Sequence, residues 1–326
     1  MGTMFRIALY AADERTAGRA SKAAFEYVAR LDGIMSDYRA TSELSLLCQK
    51  AGNGPVKVSA DLFSILSISQ AFAARTGGAF DVTAGPIIQL WRRARRTGEV
   101  PDREKLARAL ALTGYHKLHL GPATQEVQLD RPGMQLDLGG IAKGYAADRA
   151  LALLGAYGIR SALVAAGGDI VVGAAPPGEK GWRVRILSLS PDKSAGEFLL
   201  VHDAAVSTSG DAEQFVEIEG VRYSHIVDPR TGLAGTGRSS VTVVAPDGTT
   251  ADAAATAVSV LGPADGLKFI ETERDAAVFI VNVNDEGALQ RFFSKGWAAR
   301  SKAPRGSMYR LLPDVLSQSR ITQAGA

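Results

Sequence analysis

Gly140-Ile-Ala-Lys-Gly-Tyr-Ala-Ala-Asp-Arg-Ala-Leu-Ala-Leu-Leu-Gly-Ala-Tyr157 carries helical patterning. A few residues later come Ala162-Leu-Val164, Ile170-Val-Val172, Arg183-Val-Arg-Ile186 and Phe198-Leu-Leu-Val201, short runs that alternate or stay apolar as strands do. Four strands in succession with no helix between them cannot be a regular βαβ alternation. Working outward, further strands are expected at 214–218, 222–227 and 239–245, with Glu219-Gly220 as the turn between the first two. Upstream, apolar residues fall on one helical face at 17–35 (Ala24, Val28, Leu31, Met35) and at 61–75 (Leu62, Ile65, Leu66, Ala73). A third helix reads from Asp102, an acidic cap, to the glycine stop at Gly114. The period then switches to two at 116–120, 126–130 and 134–138, which predicts a strand and hairpin arrangement. Helices at 250–261 and 263–272 and a strand at 276–283 follow. Clustered helices with hairpin strands predict an α+β fold with antiparallel sheets. The reading is one domain over 1–313 and a polar tail over 314–326.

Composition narrows the function classes. Of 326 residues, 46% are hydrophobic and 22% charged, an ordinary globular balance that excludes disorder and fibrous repeats. Thirty-seven basic against 34 acidic residues leave a net charge of +3, with no footprint for nucleic acid. The basic run Arg92 to Arg96 reads as a solvated helix end, the alternative being a surface that meets phosphates or an acidic partner. Cys48 is the single cysteine, so an internal disulfide or a Cys-rich zinc site is ruled out and any metal must be held by oxygen or imidazole. The 35 glycines, about 11% against ~7% in average proteins, mean that some part of the chain needs bare backbone. Ile7 to Ala12 is too short for an export-signal core, and 150–166 is too interrupted to span a membrane.

Several glycine motifs invite a nucleotide-binding reading and fail it. Gly139 to Gly144 has Tyr145 and Ala146 where a phosphate loop needs Lys and Ser or Thr, and Gly235-Thr-Gly237 lacks the third glycine of a dinucleotide fingerprint. Ser207 and Ser209 have no nucleophile-elbow pattern around them. The informative residues are oxygens placed at turns. Asp137 stands at a strand end before two glycines and a helix start, where exposed amides attract an anion, and Lys143 adds a positive charge one turn in. Asp252 and Thr256, four apart, share one face of an alanine-rich helix and suit Mg²⁺, although Asp252 reads equally as a helix N-terminal carboxylate. His225, in a strand running into the Asp228-Pro-Arg-Thr-Gly232 turn, is either a packed residue or a neutral-pH base. His116, His119 and His202 read as structural. Ala79, Phe80 and Asp81 sit in a Gly-rich turn that either frames a planar ring or simply joins a helix to a strand.

Taken in order, Met1-Gly-Thr3, Met35-Ser36 with Tyr38 and Ser42-Glu43, Gly78-Ala-Phe-Asp81 with Thr83, Asp137-Leu-Gly-Gly-Ile-Ala-Lys-Gly144, Gly167-Gly-Asp169, Ser209-Gly210, Tyr223-Ser-His225 with Asp228 and Thr231-Gly232, and Ala251-Asp252 with Thr256 resemble the motif set of the ApbE family, the FAD:protein FMN transferases. The resemblance spans about residues 1–285. It departs at Leu233-Ala-Gly-Thr-Gly237, where a proline-containing turn is usual. It implies transfer of FMN from FAD to a Thr or Ser hydroxyl of an acceptor flavoprotein, with AMP released and Mg²⁺ as the ion. The fold implied is an α+β unit of tunnelling-fold-like ApbE architecture. The resemblance implies a metal held by the Asp252 and Thr256 side chains and the Gly140 and Ala255 carbonyls. FAD would be lined by Met1, Tyr38, Ala79, Phe80, Asp81, Asp137, Lys143 and the His225-Ile226 segment. His225 and Asp252 would carry the chemistry, His225 as the base. The same residues would serve an FAD pyrophosphatase using water, or, without an ion, a non-enzymatic FAD-binding protein. The family also implies work outside the cytoplasm, in the periplasm, behind a removed N-terminal signal that would associate the chain with a membrane and would precede residue 1.

Overall fold

The computed structural model describes residues 2–186, 189, 198–210, 215–284 and 286–297. Met1, the boundary at 313 and the tail lie outside the described residues. In chain order the elements are β1 (Phe5–Leu9), α1 (Glu14–Met35), α2 (Glu43–Gln49), β2 (Val56–Lys57), α3 (Ala60–Arg75), α4 (Gly85–Thr97), α5 (Arg103–Leu112), β3 (Leu118–Gly121), β4 (Glu126–Leu129) and α6 (Ala142–Ala156). There follow β5 (Ala162–Ala166), β6 (Asp169–Val172), β7 (Trp182–Arg185), β8 (Phe198–Val201), β9 (Ala204–Gly210), β10 (Phe215–Ile218), β11 (Val221–Val227), β12 (Ala234–Thr236), β13 (Ser239–Ala245), α7 (Gly248–Thr272), β14 (Ala277–Val283) and β15 (Leu289–Phe293).

Seven strands form an antiparallel sheet in the order β1-β5-β6-β9-β13-β14-β15, open at both edges among the described residues. The strands read as near-continuous apolar runs because both faces are covered. In β14, Val278 and Ile280 point to the side packed by α1, α6 and α7, whereas Ala277, Phe279 and Val281 point to the side covered by the β7–β8 hairpin and Trp297. The Gly167-Gly168 turn joins β5 to β6, with Gly167 at φ +65, so Asp169 opens β6 directly opposite Ser207 of β9.

On the helical side, α6 and α7 cross at glycines. A Cβ on Gly144 would stand 2.0 Å from the Gly248 carbonyl oxygen, so only hydrogen fits there. The two helices expected at 250–261 and 263–272 meet as α7, kinked at Gly262 (φ +73) before Pro263. Burial of Met134, Leu136 and Leu138 agrees with the alternation at 134–138, but that segment joins no sheet; it is extended chain tied by Asp137 N–H donating to the Val82 carbonyl. A three-stranded sheet, β10-β11-β12, rests on α4 and α5 through Ile87, Trp91, Ala94 and Ala109 against Ile218, Val227 and Ala234. Another, β2-β4-β3, contributes Val127 and Leu129 to the helical core. No described helix is long and apolar enough to cross a membrane.

Candidate functional site

The first turn of α6, the second turn of α7 and the start of β6 bring three charges together. Lys143 Nζ lies 3.1 Å from Asp169 Oδ2 and 3.2 Å from each Asp252 oxygen, and donates to the Gly139 carbonyl at 3.0 Å. Gly144 N–H donates to Asp252 Oδ2 at 3.1 Å, and the Ser207 hydroxyl donates to Asp169 Oδ1. Asp252 and Asp169 are each only 2% exposed. Burial first, and then the charge of Asp169, pushes the Asp252 carboxyl up to about 7. Burial works against the Lys143 charge, but the two carboxylates outweigh it and hold the ammonium above its ordinary range. Other carboxylates serve the start of α7, while Asp252 takes an amide from the first turn of α6. Asp247 caps α7 by accepting from Thr250 N–H, and Asp148 accepts from the Gly248 and Thr249 amides, so Asp252 is left to face Lys143.

Thr256, one turn on, faces Gly140: a Cβ on that glycine would be 2.8 Å from Thr256 Oγ1. The Gly140 backbone thus packs directly against the Thr256 side chain. The oxygen-only donor set of Asp252, Thr256 and the Gly140 carbonyl fits Mg²⁺, and the Lys143 ammonium already demonstrates a cation seated on Asp252. Among the described residues no group of three or more His, Cys, Asp and Glu side chains gathers for a metal. An ion held here would have to draw on hydroxyl and backbone oxygens beside Asp252. The Ala255 carbonyl lies inside α7 and accepts from the Ser259 hydroxyl at 2.8 Å, a bond any ion there would have to displace.

A second cluster adjoins the first through Gly139. Asp137 accepts from Gly139 N–H at 2.8 Å and from Arg92 at 2.6 Å, and Arg92 also bridges to Asp37. The guanidinium carbon lies 4.5 Å from the centre of the Tyr38 ring, which is 70% exposed. Burial, then the neighbouring Asp37, raises the Asp137 carboxyl to about 6. This corrects the reading of the Arg92 to Arg96 run as a solvated helix end. Arg92 is turned inward with its side chain 19% exposed, while Arg93 and Arg96 border a cavity of about 560 Å³ that reaches Tyr38.

Ala79 and Phe80 are buried in the core, Phe80 edge-on to Phe72, so this turn offers a ligand its backbone. Asp81 accepts from Thr83 N–H and Oγ1, and burial raises its pKa. Thr83 Oγ1 in turn accepts from Gly114 N–H at 2.7 Å. His225 and Ile226 are half-buried on β11, where pairing with β12 is irregular between Tyr223 and Val227. Ile226 N–H donates to Ser224 Oγ, and β11 lies against α7. Trp91 Nε1 donates to the Gly232 carbonyl and fixes the turn after Asp228. Met1 lies outside the described residues. Sequence reasoning assigned no role to Asp169, Arg92 or Asp148. Only Asp169 had a local signal, its place after two glycines.

The sequence profile of the ApbE family matches residues 1–280. The FAD:protein FMN transferase of Treponema pallidum is 37% identical over 280 residues, 80% of this chain and 77% of that one. The flavin transferase ApbE of Vibrio cholerae superposes with a TM-score of 0.81 at 32% identity, covering 92% of this chain and 96% of the other. The apo flavinyl transferase ApbE of Pseudomonas stutzeri gives 0.82 at 27% identity, with 93% and 95% covered.

Proposed function

The chain belongs to the ApbE family, and from that premise we infer that it is an FAD:protein FMN transferase that modifies a Thr or Ser hydroxyl of an acceptor protein with the help of Mg²⁺. The observation that carries the reading is the buried cation seat at Asp252, beside Thr256 and Gly140, on a helix against which the His225 strand lies.

In the reaction the acceptor hydroxyl oxygen bonds to the phosphorus on the FMN side of the FAD pyrophosphate. The bond from that phosphorus to the AMP oxygen breaks, and AMP departs with the electron pair. His225 accepts the hydroxyl proton, a contribution typically worth ~10²–10⁴-fold. Asp252, Thr256 and the Gly140 carbonyl would hold Mg²⁺, which when bound neutralises pyrophosphate charge. Lys143 adds a fixed positive charge beside that seat. The exposed Tyr38 ring, backed by Arg92, offers a face for a planar ring, and the Ala79 to Asp81 backbone offers hydrogen bonds to FAD. By the same premise we place the enzyme outside the cytoplasm, in the periplasm.

Chromatography of a mixture of protein, FAD and MgCl₂, with and without a candidate acceptor, tests the reaction type. AMP should form in step with acceptor consumed. Free FMN and AMP accumulating equally without acceptor would identify a pyrophosphatase instead.

A further inference from the structure

Lys143 has three N–H donors, and its acceptors divide unequally. It donates to the Gly139 carbonyl at 3.0 Å and to the two Asp252 oxygens at 3.2 Å, whereas Asp169 Oδ2, 3.1 Å away, is held to it by charge alone and is a buried oxygen with no hydrogen-bond partner among the described residues. Asp169 is itself held: it opens β6 after the Gly167-Gly168 turn, and its cross-strand partner Ser207 donates to its other oxygen. Two buried carboxylates around one ammonium give the cluster a surplus of negative charge whenever both are ionised. An Asp252–Lys143 pair alone would be neutral and would have little residual attraction for a cation.

We propose that Asp169 is a positioning residue for cation exchange: it retains the Lys143 ammonium when a divalent ion takes the Asp252 carboxylate. Lys143 is then the tethered counter-ion of the metal-free site, and Asp169 provides both the charge that draws the ion and the place to which the ammonium withdraws. The inference rests on the reading of Asp252 as a magnesium ligand. It goes beyond that reading in assigning Asp169 and in making Lys143 a competitor of the metal.

The test is calorimetric titration of the FAD-free protein with MgCl₂ at fixed ionic strength, with melting temperatures recorded with and without the ion. Asp169→Asn should raise the apparent Mg²⁺ Kd roughly tenfold or more, since the ammonium keeps only Asp252 as a charged partner. Lys143→Met should melt lower without metal, because two carboxylates then face each other, yet bind Mg²⁺ at least as tightly as wild type and gain more from it in melting temperature. Should Asp169→Asn fail to fold, Ser207→Ala loosens the same carboxylate and is expected to raise the Kd severalfold. A purely structural Asp169 would lower the metal-free melting temperature and leave the Kd unchanged, which overturns the proposal. So does a Lys143→Met protein that binds Mg²⁺ more weakly than wild type. Wild-type protein that binds no Mg²⁺ removes the magnesium reading and this inference together. Wild-type binding with an unaltered Asp169→Asn Kd removes this inference alone.

Discussion

Gly144→Ala tests the joint on which the site is built. The added methyl would lie 2.0 Å from the Gly248 carbonyl oxygen and 2.9 Å from Asp252 Cβ. Backbone cannot rotate away as a side chain can, so α6 and α7 must part by about 1 Å or more to restore ordinary contact. That movement also stretches the 3.1 Å bond from Gly144 N–H to Asp252 past useful range. Overpacking costs about 1–3 kcal/mol, and the loss of one donor to a buried carboxylate about 1.5–3 kcal/mol. Better helix propensity returns about 0.5–1 kcal/mol. The net is a destabilisation of about 3 kcal/mol, a fall of roughly 6 °C in melting temperature for a chain of this size. Gly155→Ala, on the same helix with nothing within 4 Å of its Cβ position, serves as the control and should be neutral or gain a degree or two. Melting curves for both variants, with Mg²⁺ titrations alongside, decide the matter. A Gly144→Ala protein that melts within a degree of the Gly155→Ala protein and binds Mg²⁺ normally would refute the close-packed joint.

Three further substitutions probe other parts of the site. Arg92→Met strips Asp137 of its ion-pair partner while the carboxylate stays buried; a loss of about 3 kcal/mol and weaker FAD binding are expected, and unchanged melting with unchanged FAD affinity would remove Arg92 from the site. His225→Ala should lower kcat for transfer by ~10²–10⁴-fold with the KM for FAD little altered, whereas a near wild-type kcat would exclude it as the base. For Asp148, burial raises the carboxyl from its ordinary 3.8 to about 6. The folded chain therefore binds the proton more tightly, and stability from this group is present below about pH 4 and lost as pH rises through about 6, by up to ~3 kcal/mol. Asp148→Asn should flatten that slope in urea midpoints measured across pH 4–6, and an identical slope in the variant would contradict the assignment.

Much of the fold was legible because the hydrophobic period changes at identifiable places. The helix ending near Tyr157 and the strands from Ala162 onward are α6 and the sheet strands beginning with β5. The alternation of Met134, Leu136 and Leu138 reported burial correctly and strand pairing wrongly, since period two records which side chains face the core and not whether the backbone finds a ladder. Within the site, Asp252 and Thr256 share a helix face by spacing alone. The partner of Asp252 comes from 109 residues away, and local patterning cannot reveal it. Arg92 was misread for the same reason. Its carboxylates, Asp37 and Asp137, lie 55 and 45 residues distant, and a run of arginines looks solvated until the fold supplies them. The family motifs carried what spacing could not, because they name residues that converge only after folding.

Covalent flavin on an acceptor is the most direct measurement of the central claim. The protein, FAD and MgCl₂ are incubated with a candidate acceptor or with extracts of the producing cell, and flavin fluorescence is read on a denaturing gel. Mass spectrometry then maps the modified residue. The expected product is one FMN joined through its phosphate to a threonine or serine, with AMP in equal amount. An acceptor that stays unmodified while FAD is cleaved to free FMN and AMP would contradict it.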